Sequence, residues 1–274
     1  MEAQTAPIDL GFCWVFPESC TPEEGLGRLR EYGFDGVELW PQALDYFGAE
    51  RWARALREQG MRCLQLCPYF NFVAGPAKLE ESREILFRFL EAAALLECRR
   101  IRVFTGPPWG QGVVGAGMAT AEQWQSAIDG LREYCGIAPR IEFCLECHEG
   151  SLMENSVSAL RLLRAVDRPN LTTNLQLPLL EEGWEESVAQ LAPYTTHIHI
   201  HNWTEGFGAG EVTFLGEGAF DWTVVLEILL RKYGRPLCLS VEHPDHGGKD
   251  DPWETARRDA ETLGDWREAL KTLQ

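Results

Sequence analysis

Short apolar runs alternate along the chain with longer stretches in which apolar and charged positions are mixed at helical spacing. The apolar runs predict strands near Leu10–Val15, Gly36–Trp40, Cys63–Cys67, Ile101–Thr105, Ile141–His148, Leu171–Leu177, Thr196–Asn202 and Leu237–His243. The stretches between them predict helices at Pro22–Tyr32, Glu50–Gln59, Glu80–Cys98, Ala121–Tyr134, Ser156–Val166, Glu186–Leu191, Trp222–Tyr233 and Trp253–Leu273. Strand and helix alternate eight times, the count that a closed (β/α)8 TIM barrel needs. Local chemistry marks several boundaries. Thr21-Pro22-Glu23-Glu24 supplies an N-cap, a first-turn proline and acids at the positive end of a helix dipole. Gly33 and Gly234 sit where helices should stop. No linker or low-complexity run divides the sequence, so we expect one barrel domain over residues 1–274, with 1–7 as a loose leader.

Alternate residues of a barrel strand point inward and the others face the helix ring. Applied to Thr196–Asn202, this puts Ile198 and Ile200 against helices and turns His197, His199 and His201 inward. On the fifth strand Cys144, Glu146 and His148 share a face, opposite Phe143, Leu145 and Cys147. On the eighth, Ser240 and Glu242 share the inward face. The second strand adds Glu38 and Trp40, and the sixth adds Asn174 and Gln176. An acid inside an apolar strand is costly unless it is paired, hydrogen-bonded or bound to metal. Two carboxylates and an imidazole at one mouth suit a divalent ion such as Mn, Mg, Co or Zn. The same acids also suit metal-free acid–base chemistry, or a polar pocket without turnover. The long stretches Phe104–Thr120 and Asn202–Phe220 read as structureless loops after strands, the end at which barrel active sites lie. The glycines of the first lack a phosphate-cradling signature and read as a ligand-covering or merely ordered loop.

Composition narrows the partners. A formal charge of −17 over 274 residues disfavours nucleic acid and anionic membranes unless a basic patch overrides it. Arg28 and Arg30, Arg99 to Arg102 and Arg161 to Arg168 read as ordinary helix surfaces and helix ends, so we expect no such patch. Apolar runs fall well short of the roughly 20 residues of a membrane span. Nine scattered cysteines, several inside apolar runs, and no signal peptide at the start point to a reducing cytoplasm. The expected partner is a small molecule.

Five segments carry a resemblance: Gly33-Phe34-Asp35-Gly36-Val37-Glu38-Leu39-Trp40, Leu145-Glu146-Cys147-His148, His197-Ile198-His199-Ile200-His201-Asn202, Gly216-Glu217-Gly218-Ala219-Phe220-Asp221-Trp222, and Ser240-Val241-Glu242. In this order the chain resembles the xylose-isomerase-like TIM barrel superfamily, especially its sugar epimerase, hydroxypyruvate isomerase and inosose dehydratase-like branches. The resemblance covers nearly the whole chain. It implies one divalent metal ion held by Glu146, His199, Glu242 and a strand-six position that is aspartate in those families and Gln176 here. Gln176 offers a neutral oxygen and lacks the charge. Further departures are Leu179 in place of histidine, His201 in place of lysine and Asn202 in place of aspartate.

The activity implied is isomerisation or epimerisation of a polyhydroxylated sugar or hydroxy-keto acid. Glu146 and Glu242 would be catalytic, moving a proton through an enediolate, while Glu38, Trp40, Trp14, Trp109, His148 and His201 would bind substrate. The alternatives are a metal-dependent dehydratase or lyase acting on a polyol or keto-inositol, and a degenerate sugar-binding barrel. Repair endonucleases of the same superfamily place extra zinc-binding histidines after early strands; Pro68–Asn71 and Gly106–Trp109 contain none. The resemblance also implies a homo-oligomer.

Overall fold

Eight strands line up in parallel: β1 (Ile8–Trp14), β2 (Gly36–Leu39), β3 (Arg62–Leu66), β4 (Arg100–Val103), β5 (Glu142–Glu146), β6 (Leu171–Gln176), β7 (Thr195–Ile200) and, after a two-stranded excursion, β10 (Leu237–Val241). They close a barrel in the order β1-β10-β7-β6-β5-β4-β3-β2, the predicted architecture. The excursion is an antiparallel ribbon of β8 (Asn202–Trp203) and β9 (Val212–Thr213). The helices are α1 (Pro22–Tyr32), α2 (Pro41–Phe47), α3 (Ala49–Gln59), α4 (Pro76–Leu95), α5 (Ala121–Ile137), α6 (Ser156–Val166), α7 (Trp184–Leu191), α8 (Trp222–Ile228) and α9 (Pro252–Thr272). This computed structural model describes residues 7–14, 20–107, 110–242, 245–246 and 248–272. The expected leader, apart from Pro7, together with Val15, Trp109 and His243, lies outside the described residues. Among the described residues no helix is long and apolar enough to cross a membrane.

The chain forms two compact units, Met1–Leu64 with Thr196–Gln274, and Gln65–Thr195. In the first, β1 pairs with β2 and β10, and β10 with β7. Its core joins strand residues such as Phe12, Val37, Ile198 and Leu239 to Trp52 and Trp222, all fully buried. Gly11 stands opposite Ser240 and Gly36 in register, and a Cβ there would run into the Ser240 hydroxyl. In the second unit β4 pairs with β5 and β5 with β6. Phe70 and Phe72 each lie 5.2 Å from the ring of Tyr134, which anchors α5.

Helices with complete local signals start and stop where the sequence predicts. Thr21 and Glu24 form a reciprocal capping box at α1, and Gly33 ends it in the left-handed conformation at φ 102°. Asn155 and Ser158 cap α6 in the same reciprocal way. One element is added and two predicted segments differ. Helix α2 is an added element, entered through Trp40-Pro41 with proline in its first turn. The helix predicted over Trp222–Tyr233 is α-helical only to Ile228, then widens into a π-turn over Leu229–Tyr233.

The stretch Asn202–Phe220, predicted structureless, contains the ribbon, and the Asn202 side chain ties its two ends together. Asn202 Nδ2 donates to the carbonyls of Leu215 and Phe220 at 3.0 Å each. Its Oδ1 accepts from the Trp203 and Phe220 amides at 2.9 and 3.2 Å. Gly218 packs directly on this amide, where a Cβ has no room. Trp222 Nε1 donates to the His201 carbonyl at 2.9 Å and secures the far end.

Asp259 on α9 holds the same segment. It is buried, and its Oδ1 accepts the Leu215 N–H at 2.8 Å. Burial raises its carboxyl from 3.8 to about 7, against the opposing pull of that hydrogen bond and of Arg258. A raised acid takes up a proton in the folded state between pH ~4 and ~7 that the unfolded chain releases, so the stability it confers is full below about 4 and is lost as pH rises to about 7. Asp259→Asn keeps an oxygen for Leu215 and removes the titration. We expect the difference in urea midpoint between the variant and the parent to change across pH 4–7 in the variant's favour and to level off above; parallel profiles would refute it.

Candidate metal centre

In the first unit, strand register assembles a buried cluster. Cys13 on β1 stands beside Glu38 on β2, and His199 on β7 beside Ser240 on β10. Glu38 has no exposed surface. Its Oε1 lies 2.6 Å from His197 Nε2 and its Oε2 3.1 Å from His199 Nε2. The other nitrogen of His199, Nδ1, lies 3.2 Å from Glu242 Oε1, just past the end of β10. Trp40 stacks near His199, with centroids 6.4 Å apart and planes at 26°. His201 is buried, edge-on to Trp203 at 4.9 Å.

Cys13, Glu38 and His199 are all buried and each brings one donor atom within 4.8 Å of the others, a candidate triad for a divalent metal. Its two sides differ in fit. Burial, reinforced by the charge of Glu38, pushes the Cys13 thiol far up, so that side keeps a proton that a metal would have to displace. Burial alone would raise the Glu38 carboxyl, but the charges of His197 and His199 outweigh it and hold it well below the usual carboxylate range. On the Nδ1 side, an imidazole nitrogen and a carboxylate oxygen 3.2 Å apart can both reach one ion at ~2.1 Å.

In the second unit, Glu146 closes β5 beside Asn174 on β6, and Gln176, two residues on, shares the face of Asn174. Glu146 is met by a buried arginine. Arg102 Nη1 lies 3.0 Å from Glu146 Oε2, with both side chains only 2% exposed. Arg102 Nη2 donates to the Cys67 carbonyl at 3.1 Å, and the guanidinium lies over Tyr69 at 4.7 Å and Phe104 at 4.9 Å. Burial works against its charge, yet the neighbouring Glu146 carries the guanidinium further above its usual range. His148 is half-buried, with Nδ1 2.6 Å from the Glu149 carbonyl oxygen and its ring edge-on to Phe104 at 5.6 Å.

Three expectations change. Arg102 is no helix surface: it alternates with Ile101 and Val103 on β4, and the parity that found Glu146 would have turned it inward. Trp14, expected at the substrate, faces the helix layer. It packs edge-on against Trp52 of α3 at 4.8 Å and Trp253 of α9 at 6.4 Å, and it leaves room only for glycine at position 25. Glu38, also expected at the substrate, has both carboxylate oxygens on histidines. Cys144 and Cys147 stand three apart around Glu146 without forming a disulfide; strand alternation sends them to opposite faces.

Residues 26–271 match the family described as xylose isomerase-like TIM barrel, and the chain belongs to it. A buried metal-ligand cluster in a barrel of this family is the apparatus of an enzyme. Among characterised proteins, the 3-dehydroshikimate dehydratase of Bacillus anthracis is 28% identical over 183 residues, a match spanning 63% of this chain and 63% of that one. The fold is close to the crystal structure of the probable 3-DHS dehydratase AsbF from Bacillus anthracis, with a TM-score of 0.75 and 22% identity over 93% of this chain and 98% of the other. It is equally close to D-psicose 3-epimerase from Clostridium cellulolyticum H10, at a TM-score of 0.75 and 14% identity over 96% and 99%.

Removing one partner of a buried ion pair costs about 3–5 kcal/mol, whereas replacing both costs far less. We therefore expect Arg102→Met to lose stability of that order in urea unfolding with chelator present, and Arg102→Met with Glu146→Gln to recover most of it. A double variant no more stable than the single one would show that the pair is not what holds Arg102.

Proposed function

We propose that this protein is a metal-dependent dehydratase that eliminates water from a polyhydroxylated cyclic keto acid. The supporting observation is the likeness in sequence to a 3-dehydroshikimate dehydratase, at 28% identity. The epimerases share the fold at far lower identity. The interior cation Arg102, stacked on Tyr69 and Phe104, adds a second support, because a guanidinium in a dry setting suits a substrate carrying a carboxylate.

In this reading the metal would be held by the ligands that the family resemblance implies, Glu146, His199 and Glu242, with Gln176 supplying a neutral oxygen at the family's aspartate position. Bound there, a divalent ion would supply Lewis acidity to a ketone oxygen. The remaining work falls to side chains. One of Glu146 and Glu242 accepts the proton from the carbon beside the ketone. The other delivers a proton to the hydroxyl one carbon further on, so the C–O bond breaks, a C=C bond forms and water leaves. His148, with Nδ1 turned to the Glu149 carbonyl, offers Nε2 to a substrate hydroxyl, and Trp40, stacked near His199, and His201, beside Trp203, are further expected substrate contacts. An isomerase or epimerase, the first expectation from sequence, would begin with the same proton abstraction but return the proton to carbon.

That difference is the test. With Mn2+ and 3-dehydroshikimate we expect an unsaturated, ultraviolet-absorbing product and one released water per turnover. Solvent deuterium entering the carbon skeleton of ketoses, without loss of water from any keto acid, would overturn the dehydratase. Restoring the missing charge gives a second prediction. Gln176→Asp should tighten Mn2+ binding on the order of tenfold by calorimetry; unchanged affinity would remove Gln176 from the ligand set.

A further inference from the structure

We infer that Glu38 is the positioning residue of the metal centre: it fixes the hydrogen of His199 on Nε2 and thereby presents Nδ1 to the ion. The inference rests on the proposed role of His199 as a metal ligand.

A carboxylate can only accept hydrogen bonds. Glu38 Oε2 lies 3.1 Å from His199 Nε2, in a place with no exposed surface, so water does not compete for the contact. A hydrogen is therefore required on Nε2, so the ring in its neutral, metal-binding form keeps its lone pair on Nδ1. That lone pair lies 3.2 Å from Glu242 Oε1, itself an acceptor. Two acceptors at that separation repel unless a proton or a cation stands with them, and among these three residues the exposure is at Glu242, with 11% of its side chain exposed against none for His199 and Glu38. An ion is thus directed to Nδ1 by a residue that does not touch it, as carboxylate partners of ligating histidines commonly do. His197 serves the same end. Its Nε2 lies 2.6 Å from Glu38 Oε1, which stops the carboxylate from rotating out of line. Register supports the arrangement further, since Glu38 sits on β2 beside Cys13 of β1.

The test uses the full chain labelled with 15N-histidine and loaded with diamagnetic Zn2+. We expect the His199 Nδ1 resonance to move on Zn2+ binding while Nε2 retains a slowly exchanging proton. Glu38→Gln should weaken Zn2+ binding about 10–100-fold and speed exchange at Nε2, whereas Glu242→Gln should weaken binding and leave the Nε2 proton in place. If Glu38→Gln does not fold, the parent spectrum decides alone. A Zn2+ shift at Nε2 instead of Nδ1 overturns the role of Glu38 and leaves His199 a ligand. Complete loss of binding in Glu38→Gln, with Glu242→Gln unaffected, makes Glu38 a ligand and also overturns it. A shift at neither nitrogen removes the ligand reading, and the inference with it.

Discussion

An ionised carboxylate without exposed surface is unstable in an apolar strand unless partners meet both of its oxygens. Glu38 is such a group, and the first unit is arranged around it. His197 and His199 reach it because β7 alternates, so residues two apart share a face, while Ile198 between them packs outward. The pairing holds the carboxylate in its charged form, and the charged form in turn orients the imidazole. Stability and chemistry here are one arrangement: the contacts that make Glu38 tolerable are the contacts that aim His199.

The second unit solves the same problem differently. Glu146 meets a guanidinium rather than imidazoles, and Arg102 in turn satisfies itself on the Cys67 carbonyl and two aromatic faces. A guanidinium stays charged at any accessible pH, whereas imidazoles titrate and bind metals. The two buried acids are thus equipped for different work, one beside a permanent cation and the other beside two imidazoles whose orientation it sets.

Much of this was legible from residue order, and what was not has identifiable causes. Helices α1 and α6 begin and end as predicted because their caps are local and complete. Strand parity placed His197, His199, Glu146 and Glu242 on inward faces without knowledge of the fold's details. Arg102 stays hidden because a cluster of basic residues after a helix reads as a helix end. Parity missed the outward direction of Trp14 because Cys13, the residue that fixes the parity of β1, gives no polar signal of its own. The ribbon within Asn202–Phe220 was invisible for another reason. Its cause is a single amide acting on residues 13 and 18 positions away, which no window along the chain can contain.

That amide has a consequence beyond its own hydrogen bonds. Asn202 grips Trp203 at one end of the excursion and Leu215 and Phe220 at the other, so the two ends are fastened to each other as well as to the barrel. The turn between β8 and β9 is held as well by Phe207, which packs on Trp203 and Phe220, and by the Glu211–Lys249 ion pair. Exchanges of side chains between Thr204 and Glu211 that keep Phe207 leave both ends of the excursion fastened. Variation in that turn is in this way kept apart from the buried Glu38 arrangement.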